Sequence, residues 1–182
     1  MENNKKLLQE GEANKFFNRN IDKIEETDSY KIIELLSEWL NPFQQEILKI
    51  LEIGCGSGHK LNQLSSSLGA LGYGVEPSID AINFTRKKFP NLNIELGYGD
   101  DIPYEIEFDL VHLGFFLFFV DRKFYLRCIS EADRLLRFGG FLSIIDYETP
   151  FPYANSYSHL KGVVTHKQTN SDVFVSSGLY SV

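Results

Sequence analysis

Apolar and polar positions along this chain follow two periods, one helical and one extended, and they alternate from segment to segment. Residues from about Leu7 to Asn20 are polar and Asn-rich, with Phe16 and Phe17 as their main apolar pair. That pattern specifies a helix only loosely, and residues 1–27 read as an N-terminal arm or mobile flap. From Asp28 to Leu40 the positions Ile32, Leu35, Leu36, Trp39 and Leu40 recur at helical spacing, with Asp28 or Ser29 as N-cap and Asn41-Pro42 as the stop. Ile47 to Ile53 is short and β-branched and predicts a strand buried on both faces. A helix over about Lys60 to Leu68 follows, with Leu61, Leu64 and Leu68 on one face and Gly69 to end it.

Leu71 to Glu76 predicts a second strand. Ser78 then opens a helix with Asp80 in its first turn and Arg86, Lys87 and Lys88 in its last, charges that complement the helix dipole, and Pro90 closes it. Further strands are expected over Ile94 to Gly97 and Phe108 to Gly114. A helix over about Asp121 to Arg137 comes next, with Tyr125, Cys128, Ile129, Ala132, Leu135 and Leu136 on its buried face. Gly139-Gly140 is expected to turn the chain into a fifth strand, Phe141 to Asp146. Residues 149–182 read as a loop on the acceptor side followed by a short extended piece over Asp172 to Val182. Alternation of this kind predicts an α/β fold with a doubly wound, mostly parallel Rossmann-like sheet, because parallel neighbours need crossover connections. Residues 28–182 form one domain in this reading.

Composition narrows the function classes. The chain has 182 residues, 43% of them hydrophobic, enough for one folded core. Its 18 Lys and Arg against 25 Asp and Glu give a formal charge of -7 without a long basic block, which argues against a nucleic-acid partner. Cys55 and Cys128 make no C-x-x-C pair, so neither a disulfide framework nor a structural metal site is expected, and a cytoplasmic location fits. No apolar run is long enough to span a bilayer; Leu110 to Val120 is the richest and is interrupted by His112 and Gly114. A homo-oligomer is compatible with the sequence.

The chemistry concentrates in Ile50-Leu51-Glu52-Ile53-Gly54-Cys55-Gly56-Ser57-Gly58-His59. Glycines at a strand end let the backbone turn sharply and let a ligand lie against the main chain. A dinucleotide fingerprint, G-x-G-x-x-G, would need a glycine where His59 stands, which disfavours a nicotinamide-dependent oxidoreductase. Val75-Glu76-Pro77-Ser78 places a carboxylate at the end of the second strand, about 20 residues beyond the loop, where an acid can accept ribose hydroxyls. Glu76 could equally serve the next helix's N-terminus.

The E-x-G-x-G-x-G loop resembles the first motif of class I S-adenosylmethionine-dependent methyltransferases. Three further segments extend the resemblance: Val75-Glu76-Pro77-Ser78, Gly97-Tyr98-Gly99-Asp100-Asp101-Ile102-Pro103-Tyr104, and Phe108-Asp109-Leu110-Val111-His112-Leu113-Gly114 with Leu135-Leu136-Arg137-Phe138-Gly139-Gly140-Phe141-Leu142. Four motifs in order, from Ile50 to Asp146, cover more than half the chain. The resemblance implies S-adenosyl-L-methionine as cofactor, S-adenosyl-L-homocysteine as product and no metal. It implies that Glu52, Gly54, Cys55, Gly56 and Gly58 form the donor loop, with Glu76 and Pro77 at the ribose. Tyr98, Gly99 and Asp100 would flank the adenine, and Leu113, Gly114, Phe115 and Phe116 would lie near the reacting methyl. Tyr98 departs from the family, which often has an acid there. The family normally completes its sheet with an antiparallel strand pair, but the chain reaches Leu179-Tyr180-Ser181-Val182 with room for only the first of them. The pair is expected to be incomplete or missing, through truncation or as a compact variant with a partner over the exposed edge.

Methyl transfer from a sulfonium is an in-line displacement in which the protein chiefly aligns the reactants and excludes water. The aromatic loop Gly114-Phe115-Phe116-Leu117-Phe118-Phe119 lacks the Asn/Asp-Pro-Pro-aromatic signature of family members that methylate exocyclic amines of bases or glutamine amides. A small polar acceptor is therefore expected, a sugar derivative or an amine. His159 is the candidate base, with Tyr153 and Tyr157 as substrate-positioning groups; His166 ranks lower, and His112 reads as a satisfied core residue. Cys55 and His59 read as loop packing and a helix-start residue. The alternative is a protein that binds S-adenosylmethionine without transferase activity, in a regulatory or assembly role.

Overall fold

The computed structural model describes residues 4–27, 29–157, 160 and 162–182. Five strands, β1 (Lys49–Ile53), β2 (Leu71–Glu76), β3 (Asn93–Leu96), β4 (Phe108–Gly114) and β5 (Leu136–Ile145), make one sheet in the order β3-β2-β1-β4-β5. Every pairing in it is parallel. Connections run through helices α4 (His59–Leu68), α5 (Ile79–Lys88) and α6 (Arg122–Leu135), and α3 (Lys31–Leu40) leads into β1.

Alternate residues of the central strands feed two cores. Ile50 of β1 and Leu110 of β4 pack with Ile33 and Leu40 of α3, Leu61 and Leu64 of α4, and Ile82 of α5. Leu51, Ile53, Val111 and Leu113 point the other way, onto Tyr125, Cys128, Ala132 and Leu135 of α6. All seven positions of β4 are buried, as a strand covered on both faces requires. The doubly wound, mostly parallel architecture is the one that the alternating pattern predicts. Local caps also match: Ser78 accepts Ala81 N–H at 3.1 Å, and Gly69 ends α4 with φ 67°.

Other segments differ from the sequence reading. The Gly139-Gly140 pair lies inside β5 as an irregularity and does not turn the chain into the strand. Between the pairs Phe108↔Leu136 and Leu110↔Phe141, β4 advances two residues while β5 advances five. Among the described residues the main sheet has no antiparallel pair, and β6 (Tyr153–Ser156) and β7 (Val164–Lys167) pair antiparallel in a separate two-stranded sheet. Asp172–Val175 is a helical turn, α7, where an extended piece was expected. Phe174 is buried against the α6 face and Tyr180, and Val175 N–H donates to Ser171 O, so tertiary packing sets a helical spacing there.

The N-terminal arm begins as helix at Asn4, in α1 (Asn4–Leu7), passes a π-helical stretch (Leu8–Glu12) kinked at Gly11 (φ 105°), and continues as α2 (Ala13–Glu25). Its first turn is capped from far away: Asp121 accepts Asn4 N–H at 2.9 Å and Lys5 N–H at 3.0 Å. The Asn4 amide donates to Phe119 O at 2.7 Å and Val164 O at 2.8 Å, which ties the arm to the β4–α6 connection and to β7. Farther along, the Phe17 ring packs tilted against that of Phe84 of α5, with centroids 5.6 Å apart. Among the described residues no helix is long and apolar enough to cross a membrane.

Candidate functional site

The carboxyl ends of β1, β2, β3 and β4 open into one cavity of about 190 Å³, at the crevice where open α/β sheets bind ligands. Of the residues expected at the donor, Gly54, Glu76, Pro77, Tyr98, Gly99, Asp100, Phe115 and Phe116 line it. The arm roofs it with Asn4, Lys5, Leu8, Glu12, Ala13 and Phe16.

The loop after β1 turns through positive φ at Gly54 (75°), Gly56 (54°) and Gly58 (71°). Each glycine has its own neighbour. A Cβ on Gly58 would lie 2.4 Å from Thr85 Cγ2, so this glycine lets α4 approach α5. A Cβ on Gly56 would meet nothing within 4 Å. Gly54 faces Phe116, whose Cδ2 would be 3.1 Å from an added Cβ, and Gly99 faces the same ring, with Cζ at 2.2 Å. The Phe116 ring thus spans the gap between the first and third strand ends. Phe115 before it has φ 53°, the only positive value outside glycine among the described residues.

Glu76 is buried, and its two oxygens divide their work: Oε2 accepts Gly56 N–H and Oε1 accepts Ser78 N–H, each at 2.9 Å. The carboxylate thereby holds the glycine loop and the start of α5 together while each oxygen keeps a further lone pair. Burial raises its pKa to about 7 despite both donors. Asp100 is clamped by Lys5, whose Nζ lies 2.7 and 2.6 Å from its oxygens and 5.0 Å from the Tyr98 ring centroid. The pair closes the cavity from above.

Behind the glycine loop, Glu52, His112 and Ser143 stand opposite one another on β1, β4 and β5, on the α3/α4 face. His112 Nδ1 contacts Ser143 Oγ at 3.1 Å. Among the described residues Glu52 Oε2 and His112 Nε2 are buried without a hydrogen-bond partner, so His112 is a core residue but not a satisfied one. Both side chains approach bare Gly114: a Cβ there would lie 2.8 Å from His112 Nε2 and 3.4 Å from Glu52 Oε1. Burial, offset by Lys60, raises the Glu52 pKa to about 7, and burial with Lys60 lowers that of His112 to about 3. A cationic hydrogen-bond donor arriving here would satisfy the orphaned carboxylate oxygen.

The remaining expected residues are spread more widely. Cys55 is buried on the far side of the loop against Gly74, and Leu113 is in the core under α6. Tyr157 lines the cavity, edge-on to Phe119 at 5.6 Å. Tyr153 is 40% exposed on β6, near Phe151. His159 lies outside the described residues. Lys5 and Glu12 on the arm and Lys60 in the first turn of α4 are polar groups that the sequence reading passed over. Nothing in the local pattern marks the first two, whereas Lys60 follows the glycine loop by two residues.

Glu52, Gly54, Glu76 and Asp100 are chemically suited to an amino-acid nucleoside: an orphaned acid for an ammonium, bare backbone at a strand end, an acid at the second strand and one beyond the third. Known proteins point the same way. The family described as "Methyltransferase domain" matches residues 50–140, half of the chain. An uncharacterized methyltransferase of Schizosaccharomyces pombe is 32% identical over 114 residues, covering 60% of this chain and 44% of the relative, so the chain spans less than half the length of that curated protein. The S-adenosylmethionine-bound amino pentose methyltransferase of calicheamicin biosynthesis from Micromonospora echinaspora superposes with a TM-score of 0.63 at 14% identity, over 75% of this chain and 61% of that one. A TehB-like S-adenosylmethionine-dependent methyltransferase from Corynebacterium glutamicum gives 0.61 at 22% identity, over 73% and 71%. The chain belongs to the methyltransferase-domain family and has the class I Rossmann-like fold.

Proposed function

We propose that the chain transfers a methyl group from S-adenosylmethionine to a small polar acceptor by in-line displacement. The observation that carries this reading is the buried, unpartnered Glu52 Oε2 beside a glycine loop that borders the cavity over the strand ends. Glu52 would receive the donor's ammonium, Glu76 the ribose hydroxyls, and Tyr98, Gly99 and Asp100 the adenine. The bound sulfonium supplies an already activated methyl group, so the chain's own residues align and shield. Phe115, Phe116 and Phe118 form the apolar wall on the reacting side, and the arm residues Leu8, Ala13 and Phe16 keep water out. The Phe116 ring, facing both Gly54 and Gly99, would border the donor between the first and third strand ends.

A sugar derivative or an amine is the acceptor class this reading favours, and a sugar N-methyltransferase from Streptoalloteichus shares the fold at a TM-score of 0.54. His159, Tyr153 and Tyr157 remain candidates for the acceptor side. Calorimetry with S-adenosylmethionine followed by a methyl-transfer screen tests the proposal. Binding with turnover of a small acceptor is expected. Binding without product across broad acceptor panels would favour a non-catalytic binding protein, and tight NADH binding without S-adenosylmethionine binding would refute the cofactor reading.

A further inference from the structure

At the rim of the cavity, the ends of β4 and β5 carry an aromatic step that extends from the reacting side out to Tyr147. Phe115 meets Tyr147 edge-on at 6.2 Å, and Phe118 meets the same ring at 5.4 Å. Phe115 is 49% exposed and Tyr147 38%, so both offer ring surface to a ligand. The step is held from beneath: Asp146 accepts Phe118 N–H at 3.0 Å and Tyr147 N–H at 2.7 Å, and Phe115 N–H donates to Ile145 O at 2.7 Å. Phe115 and Phe118 also line the cavity, so a ring stacked on this step lies beside the glycine loop.

A lysine stands at each end. Lys167 Nζ is 4.2 Å from the Tyr147 ring centroid and 5.9 Å from that of Tyr153, and Lys60 Nζ is 5.7 Å from that of Phe115. Among the described residues neither ammonium has a hydrogen bond or an ion pair. Lys5, Lys6, Lys31 and Lys88 face carboxylates; what distinguishes Lys60 and Lys167 is that both border the same aromatic step. Lys60 also acts on buried Glu52, whereas Lys167 meets aromatic faces, and together they leave room for an external anion at the step. Asp146 and Glu148 flank Tyr147 in sequence, and Asp146 has its oxygens turned to backbone amides.

We propose that Phe115, Phe118 and Tyr147, flanked by Lys60 and Lys167, form the acceptor platform and select an acceptor with a ring face and an anionic group, a carboxylate or a phosphate. The inference rests on the methyl-transfer reading and names its acceptor class. Apolar ring edges cover the planar or pyranose face, and the lysines orient the charge. The same lysines disfavour a cationic amine without a compensating anion, so an amine acceptor would arrive neutral or with an anionic group of its own.

The test uses the full chain saturated with S-adenosylhomocysteine, titrated with glucuronate, glucose 6-phosphate and benzoate, and in parallel with glucose, glucosamine and benzyl alcohol. Anionic probes are expected to bind roughly tenfold more tightly than uncharged glucose or benzyl alcohol, as a charge-assisted hydrogen bond implies, and cationic glucosamine no better than glucose. Glucuronate and benzoate against glucose 6-phosphate separate carboxylate from phosphate. Lys167→Gln should remove most of that preference, Lys167→Arg should keep it, and both should bind S-adenosylhomocysteine as the parent does, since Lys167 does not line the donor cavity. Equal binding of charged and uncharged probes, a preference that survives Lys167→Gln, or no binding by any probe overturns the platform. Failure to bind S-adenosylhomocysteine overturns the donor reading instead, so the two outcomes are distinguishable.

Discussion

Replacing Glu52 by Gln should stabilise the free protein while weakening its hold on the methyl donor. The Glu52 carboxyl is buried with one oxygen unpartnered, and its pKa rises from the usual 4.5 to about 7 because burial penalises the charged form. A raised acid pKa means that the fold binds the proton more tightly than the unfolded chain does. Stability therefore falls as pH rises from about 4.5 through about 7 and levels off above. The charge costs about 3 kcal/mol at pH 8 and about 1 kcal/mol or less at pH 5. Gln carries no charge, so Glu52→Gln should raise the melting temperature at pH 8 by roughly 6–12 °C, with a much smaller gain at pH 5. Donor affinity should drop at least tenfold, because an ammonium loses a charge-assisted acceptor. Thermal unfolding at both pH values and calorimetric titration with S-adenosylhomocysteine measure the two effects. A variant that is less stable at pH 8, or whose advantage does not grow with pH, refutes the buried-charge argument.

Gly99→Ala should destabilise the fold by about 1–3 kcal/mol, because its Cβ would lie 2.2 Å from Phe116 Cζ, and adding Phe116→Ala should recover much of that loss in urea unfolding. Lys5→Ala should release the roof: hydrogen exchange over residues 4–12 should quicken, while the sheet keeps its protection. Donor affinity should rise between pH 6 and 8, by as much as roughly tenfold per pH unit, as Glu52 and Glu76 lose protons that compete with the ligand; a flat calorimetric profile would contradict this.

The parts of the fold that local chemistry dictates were legible in the sequence. Gly54, Gly56 and Gly58 at the end of an apolar strand, Ser78 as a cap and Gly69 as a stop all act within a few residues of themselves, and the structure bears out each element they bound. Elements fixed from a distance were not legible. The arm is anchored by Asp121, 117 residues from Asn4, so nothing near residue 4 marks where its helix begins. Asp172–Val175 is helical because Phe174 reaches the α6 core, and Tyr153–Ser156 is exposed throughout, so no alternation announces its strand. Gly139-Gly140 reads as a turn, yet close packing of Gly140 against Asp109 O, where a Cβ would come within 2.9 Å, keeps it in the sheet. Within the site, motifs marked the residues near the strand ends. The roof of Asn4, Lys5 and Glu12 emerged only from tertiary structure, and so did the neighbourhood of Glu52, His112 and Lys60.

The most direct test of the central claim is calorimetric titration of the full chain with S-adenosylhomocysteine at pH 8, alongside Glu52→Gln and NADH as a competing ligand. A donor site built on Glu52 predicts saturable one-to-one binding, at least tenfold weaker in Glu52→Gln, and no measurable binding of NADH. Absence of S-adenosylhomocysteine binding, or binding indifferent to Glu52, would contradict it.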